Sequence, residues 1–316
     1  MSEKLNRRSF FKKSAQLGVS AVAANGLLSS ILGSAYLRAA GASAPDIAVV
    51  SGTDYVKGTA KAIELLGGIE RFVPKNSRVA LLPNTQSNHP GTYTKPEILR
   101  TVIRLCRDAG AREINCLSWL TQKHWDSTGL AAAAGAEGAG LKLIPREEAY
   151  FQAVAVPKGK VLKEAKILKE VSNHDVFIDM PITKDHAGNR FTGTMKNLMG
   201  INFPDINRVF HTGDFKTKPD DVEHLDQCIA DLNTVVKPTL LVVDATEFIT
   251  TNGPFGPGEL ARPHKIIAGV DRIAVDGYCA TLLGMKPEDV IMIRRGFEHG
   301  LGEIDLKKVQ IKETSL

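Results

Sequence analysis

Three observations predict an α/β fold, a parallel or mixed sheet flanked by helices on both faces. Short apolar runs alternate with helical patterns almost to the end of the chain. The runs at 176–180 and 239–243 are too short for helices and too apolar for half-exposed strands, as strands covered on both faces are. The 316 residues are 43% hydrophobic, 24% charged and 6% aromatic, which suits a soluble enzyme and excludes disordered, collagen-like and coiled-coil chains.

The elements follow in order. Residues 46–51 read as a strand and 55–66 as a helix stopped by Gly67-Gly68. Residues 78–82 form a strand ending in the turn signal Pro83-Asn84. In 95–109, Ile98, Val102 and Leu105 repeat at the helical period before a Gly110 stop. A strand at 113–118, a helix at 124–134 and short strands at 141–144 and 153–156 come next. The strand at 176–180 closes on Pro181, a helix covers 220–236, and 239–243 is a second buried strand. A strand at 265–268 runs into a helix at 273–283 that Asp271 is placed to cap. Pro287 opens a last helix, and 304–312 alternates as a late strand. Residues 181–219, loop-rich and polar, are a candidate inserted lobe.

The formal net charge is +5, but it belongs to one end of the chain. Residues 1–42 hold Lys4, Arg7, Arg8, Lys12, Lys13 and Arg38 against Glu3 alone, so the remainder is formally neutral. With no basic excess there, a nucleic-acid partner is not expected. Asn6-Arg7-Arg8-Ser9-Phe10-Phe11-Lys12 resembles the twin-arginine export motif, and a weakly apolar stretch broken by Gly18, Asn25, Gly26 and Gly33 follows it. Ala40-Gly41-Ala42 supplies a small-residue cleavage pattern. Residues 1–42 are therefore expected to be a twin-arginine signal peptide, cleaved or kept as a membrane anchor, and 43–316 a single α/β domain. The expected location is periplasmic or otherwise extracytoplasmic, with the twin-arginine export machinery as a partner. That route carries folded proteins, which favours a cofactor acquired before export.

Cys106, Cys116, Cys228 and Cys279 are too far apart for zinc-ribbon or iron–sulfur spacing. They read as buried thiols acting as small hydrophobes, and an iron–sulfur cluster is not expected.

In sheets of this class ligands gather beyond the carboxyl ends of the strands. After 78–82 stands a polar loop with Asn84 and His89 as candidate ligand contacts. After 176–180, Lys184, His186, Lys196 and Asn197 fall within a short, hydroxyl-rich stretch. Lys184 and Lys196 suit carboxylate or phosphate oxygens, and His186 suits a metal or acid–base chemistry. His211 is ambiguous alone. After 239–243 come Asp244, a carboxylate at a strand end, and a Gly/Pro/Asn-rich loop containing Asn252. Dinucleotide and phosphate loops, the nucleophile elbow and the His-Glu-x-x-His motif are all missing.

The succession of segments 79–84, 95–110, 177–186, 192–200, 229–233, 242–245, Asn252-Gly253-Pro254, 268–283 and Gly300-Leu301-Gly302-Glu303 resembles the family called domain of unknown function 362. The resemblance implies a fold and a site location but no reaction. Two departures stand out. The family's Lys-Thr-His is here Lys184-Asp185-His186, which sets a carboxylate beside the candidate site, and the ferredoxin cysteines of many members are missing.

These readings converge on an exported enzyme for a small anionic substrate. Lys184, His186 and Asp244 are the expected catalytic groups, with Lys196, Asn197, Asn84 and Asn252 binding substrate. His186, His211 and Asp244 are the candidate ligands of a divalent metal. The alternative is a non-catalytic binding or delivery protein for a small anion or cofactor. A redox partner protein is a further candidate partner.

Overall fold

The computed structural model describes residues 44–211 and 219–316. The signal peptide expected over 1–42, with Arg7-Arg8, lies outside the described residues. In chain order the elements are β1 (Ile47–Ser51), α1 (Tyr55–Leu65), β2 (Arg78–Pro83), α2 (Pro96–Asp108), β3 (Glu113–Ser118), α3 (Gln122–Ser127), α4 (Leu130–Ala136) and β4 (Gly140–Leu143). There follow β5 (Phe151–Ala155), β6 (Glu164–Leu168), α5 (Lys169–Ser172), β7 (Val176–Met180), α6 (Thr194–Asn197), α7 (Pro204–Phe210) and α8 (Pro219–Asn233). The remainder is β8 (Leu240–Ala245), β9 (Phe248–Ile249), β10 (Leu260–Ala261), β11 (Lys265–Gly269), α9 (Arg272–Leu282), α10 (Ile291–Glu298) and β12 (Ile311–Ser315).

Eight strands form one mixed sheet in the order β12-β1-β11-β8-β7-β2-β3-β4. The block β8-β7-β2-β3-β4 is parallel, while β11 runs antiparallel to both β8 and β1. From β2 the chain proceeds outward through β3 to β4, then returns to place β7 and β8 on the other side of β2. The strand order therefore reverses between β2 and β7, where crevices open at the carboxyl ends of parallel strands.

Helices cover both faces. Helices α1, α2 and α4 pack as one layer, and α8, α9 and α10 as another. The residue alternation of the strands serves both layers: Ala80 and Leu82 of β2 join the core under α8–α10, and Val79 and Leu81, equally buried, face the opposite way. Helix α2 opens with Pro96 in its first turn and buries Ile98, Leu99, Val102, Ile103 and Cys106. Helix α9 is capped as the sequence predicts: Asp271 accepts from the N–H groups of Ile273 and Ala274, a cap worth about 1 kcal/mol.

Two elements differ from expectation. The helix expected over 124–134 is two helices, because Gly129 adopts φ 75° between them. The late strand begins at Ile311, where it pairs in parallel with β1, since 306–308 form a turn of 3₁₀ helix instead. Within 181–211 the segments fold back over the carboxyl ends of the strands: Thr183 N–H donates to the Asp244 carbonyl at 3.1 Å, and Lys184 and Thr192 exchange backbone hydrogen bonds. All four cysteines are free and buried, and burial pushes the thiols of Cys106, Cys116 and Cys228 up to about 12. Among the described residues, no helix is long and apolar enough to cross a membrane.

Candidate functional site

The carboxyl ends of β2, β3 and β7 converge on a cleft of about 320 Å³. Strand β2 continues into Asn84, Thr85 and Gln86, and β3 into Trp119 and Leu120. Strand β7 continues into Lys184 and His186, and the segment returning through α6 adds Thr192, Lys196, Asn197 and Met199. Asn207 and His211 of the α7 region and Pro254-Phe255 complete the lining.

Lys184 is only 1% exposed. Its ammonium donates to the carbonyl of Thr92 at 2.6 Å and toward Asn84 Oδ1 at 3.4 Å, both neutral oxygens. Burial, reinforced by the charge of Lys196, lowers its pKa to about 7. Lys196 is buried against the Met199 sulfur, 3.8 Å from Nζ, and burial depresses its pKa as well. The carboxylate acting on it is Asp226, whose own carboxyl is pushed up by burial while bonded to Asn189 and the Met292 N–H. Among the described residues neither Lys184 nor Lys196 makes an ion pair. Two desolvated lysines thus line one cleft, Lys184 bonded only to neutral oxygens and Lys196 acted on by Asp226 without forming an ion pair, and a bound anion would stabilise their charged forms.

His186 is fixed by the turn that follows it. Its Nδ1 accepts from the N–H of Gly188 at 3.0 Å, so the neutral ring carries its proton on Nε2. Burial first, then Lys196, His211 and Lys184, push its pKa down to about 2. His186 is therefore a neutral hydrogen-bond donor at every physiological pH. His211 points Nδ1 at the Asn207 carbonyl, 2.8 Å away, and desolvation and Lys196 hold its pKa below the ordinary value.

Asn84 and Asn197 belong to one network. Asn197 Nδ2 donates to the Leu82 carbonyl at 3.0 Å and to Asp179 Oδ1 at 2.7 Å, while its Oδ1 accepts from Asn84 Nδ2 at 3.1 Å. The Asn197 amide is thus consumed in positioning, and Asn84 is the amide that faces both Lys184 and the cleft. Asp179, wholly buried, is raised well above the usual carboxylate range by desolvation, and among the described residues its Oδ2 has no hydrogen-bond partner.

Four expected residues lie outside the cleft, His89 among them. Asp244 sits at the end of β8, its Oδ2 accepting from the Lys95 N–H and its Oδ1 from the N–H and hydroxyl of Thr246. Oδ2 joins the start of α2 to β8 and Oδ1 ties the turn after β8, so the carboxyl serves as a structural latch. Asn252 donates to the Pro257 carbonyl within its own exposed loop. Asp185, the departure from the family pattern, accepts from the Gly253 N–H at 2.9 Å and adds no carboxylate to the cleft lining. At Gly253 the backbone passes so close to the Asp185 carbonyl that a Cβ would collide with it.

The expected metal set does not assemble. Asp244 is elsewhere, and the acceptor nitrogen of His186 is occupied by Gly188. Among the described residues no group of three His, Cys, Asp or Glu side chains could hold a metal ion.

Trp119, Asn207 and Asp226 were missed by sequence reasoning. Trp119 directly follows a recognised strand, so the strand-end rule could have found it. Asn207 and Asp226 stand on helices with no local signal.

The family model described as Domain of unknown function (DUF362) matches residues 79–281, well over half of the chain. The chain belongs to that family. The DUF362 match begins in β2 and ends in α9, so it takes in β2, β3 and β7 and most of the cleft they carry. The chain is also 26% identical to a thylakoid-associated protein of Synechocystis sp., over 72% of this chain and 70% of that one. Among solved structures, lactate racemase apoprotein from Thermoanaerobacterium thermosaccharolyticum is similar at 13% identity and a TM-score of 0.42, covering 62% of this chain. The chain spans about half the length of that racemase, 49%.

Proposed function

We propose that this DUF362 protein is an exported enzyme that performs acid–base chemistry on a small organic anion. The observation that carries the reading is the pair Lys184 and Lys196, desolvated and without ion-pair partners, facing one cleft beside a neutral His186. Lys196 is the anion-binding cation. Lys184, with a pKa of about 7, is poised to accept a proton near neutrality, the condition that favours a general base. His186 donates through Nε2–H to a substrate oxygen on which charge develops, as a neutral imidazole can. Asn84 accepts from Lys184 Nζ, and Asn197 holds Asn84 in place. Export rests on the Arg7-Arg8 motif and its weakly apolar sequel.

The test is isotope exchange. Purified protein is incubated in deuterium oxide with a panel of small carboxylic acids, and each acid is analysed by NMR for deuterium at carbon. The expected result is exchange into at least one acid, lost in Lys184→Met. Binding without exchange or turnover would identify a carrier instead.

A further inference from the structure

The cleft has two poles of different chemistry on different strands. The cationic pole, Lys184 and Lys196, is built on the segment after β7. The apolar pole follows β3, where Trp119 and Leu120 line the cleft; Phe255 adds an apolar surface from the loop after β9, which packs on Asp185 and Ala187 and whose Phe255 carbonyl accepts from Ser87 at 2.7 Å. Since β2 lies between β7 and β3, the strands that carry the two poles lie roughly 10 Å apart at ordinary strand spacing. An inorganic anion or a two-carbon acid would satisfy the lysines and leave that far wall untouched.

The apolar pole is formed for contact. Arg146 sits over the Trp119 ring, 5.0 Å from its centroid, and fixes the indole. Among the described residues the buried indole Nε1–H has no acceptor. Phe255 is half exposed, a large apolar side chain left beside the cleft. The volume of about 320 Å³ is at the lower end of small-molecule sites, about 300–1,000 Å³, too large for a lone inorganic anion.

We infer that the ligand is an amphiphilic organic acid, its carboxylate held at Lys196 with Lys184 beside it, and its aryl or branched-alkyl body lying against Trp119, Leu120 and Phe255. This inference rests on the anion reading proposed above and narrows it. It names Trp119 and Phe255 as specificity-determining residues.

Isothermal titration calorimetry on the purified protein tests it with four probes: phenylacetate, 4-methylpentanoate, acetate and the uncharged phenylacetamide. Phenylacetate or 4-methylpentanoate is expected to bind about 10- to 100-fold more tightly than acetate, the gain from burying one apolar side-chain equivalent. Phenylacetamide is expected to lose most of that affinity. Lys196→Gln should weaken all the acids alike, while Trp119→Leu should weaken the two larger acids and leave acetate unchanged. Equal binding of acetate and the larger acids overturns the two-pole inference and leaves the anion reading standing. Equal binding of phenylacetate and phenylacetamide, or no binding of any acid, overturns both.

Discussion

Asn84 and Asn197, 113 residues apart in sequence, are joined by a hydrogen bond of 3.1 Å. Through it the end of β2 and the helix α6 share one buried polar network, with Lys184 at one end and Asp179 at the other. The cleft therefore depends on Asn197, whose amide is spent on Leu82, Asp179 and Asn84.

Replacing Asn197 with Leu leaves the Leu82 carbonyl, Asp179 and Asn84 without their partner. Unsatisfied buried groups cost about 1–3 kcal/mol each, so Asn197→Leu is expected to lose about 2–4 kcal/mol of stability by urea denaturation. Anion affinity should fall with it, since Asn84 no longer steadies Lys184.

The latch role of Asp244 makes a contrasting prediction. Asp244→Ala removes the acceptor of the Lys95 N–H and of Thr246 and is expected to cost about 3 kcal/mol. Anion affinity, measured by calorimetry well below the lowered melting temperature, should be kept. A catalytic or metal-binding Asp244 would give the opposite pattern.

Stability should rise with pH above neutrality. The folded Lys184 loses its proton at about 7, whereas the unfolded chain keeps it up to the ordinary lysine value of 10.5. Between these values the unfolded state binds one more proton, so the folded state gains up to about 1.4 kcal/mol per pH unit from this group. Urea melts between pH 7 and pH 8, above the range where Asp226 opposes the rise and below the range where the buried thiols do, should show it, and Lys184→Met should reduce its slope. Anion affinity should run the other way, falling as the lysines lose their charge.

His186 is expected to remain neutral, with its proton on Nε2, from pH 5 to pH 9. Nitrogen-15 NMR of its ring distinguishes that tautomer directly, and a titration step in this range would contradict the hydrogen bond from Gly188.

Replacing both Arg7 and Arg8 with Lys is expected to keep the protein in the cytoplasm of a host with a working twin-arginine system. Fractionation and immunoblotting check this.

The fold was readable because its strands are short, apolar and closed by Pro or Gly, as at 78–82 and 176–180, so period and punctuation agree. The strand-end rule also led to Lys184, His186, Lys196 and Asn84, all of which line the cleft. It failed at Asp244 because a carboxylate at a strand end looks the same whether it faces a ligand or a backbone N–H two elements away. The order of strands in space decides that, and sequence does not carry it. Asp226 escaped for the same reason: its importance comes from Lys196, 30 positions earlier, and from Asn189, which only folding brings to it.

The most direct test of the anion clamp is a carbon-13 NMR titration of the lysine ε-carbons, with and without phenylacetate, assigned through Lys184→Met and Lys196→Gln. The account predicts that Lys184 titrates at about 7 in the free protein and that both lysines move upward when the acid is bound. A Lys184 that titrates at the ordinary value of 10.5, or midpoints that no organic acid displaces, would contradict it.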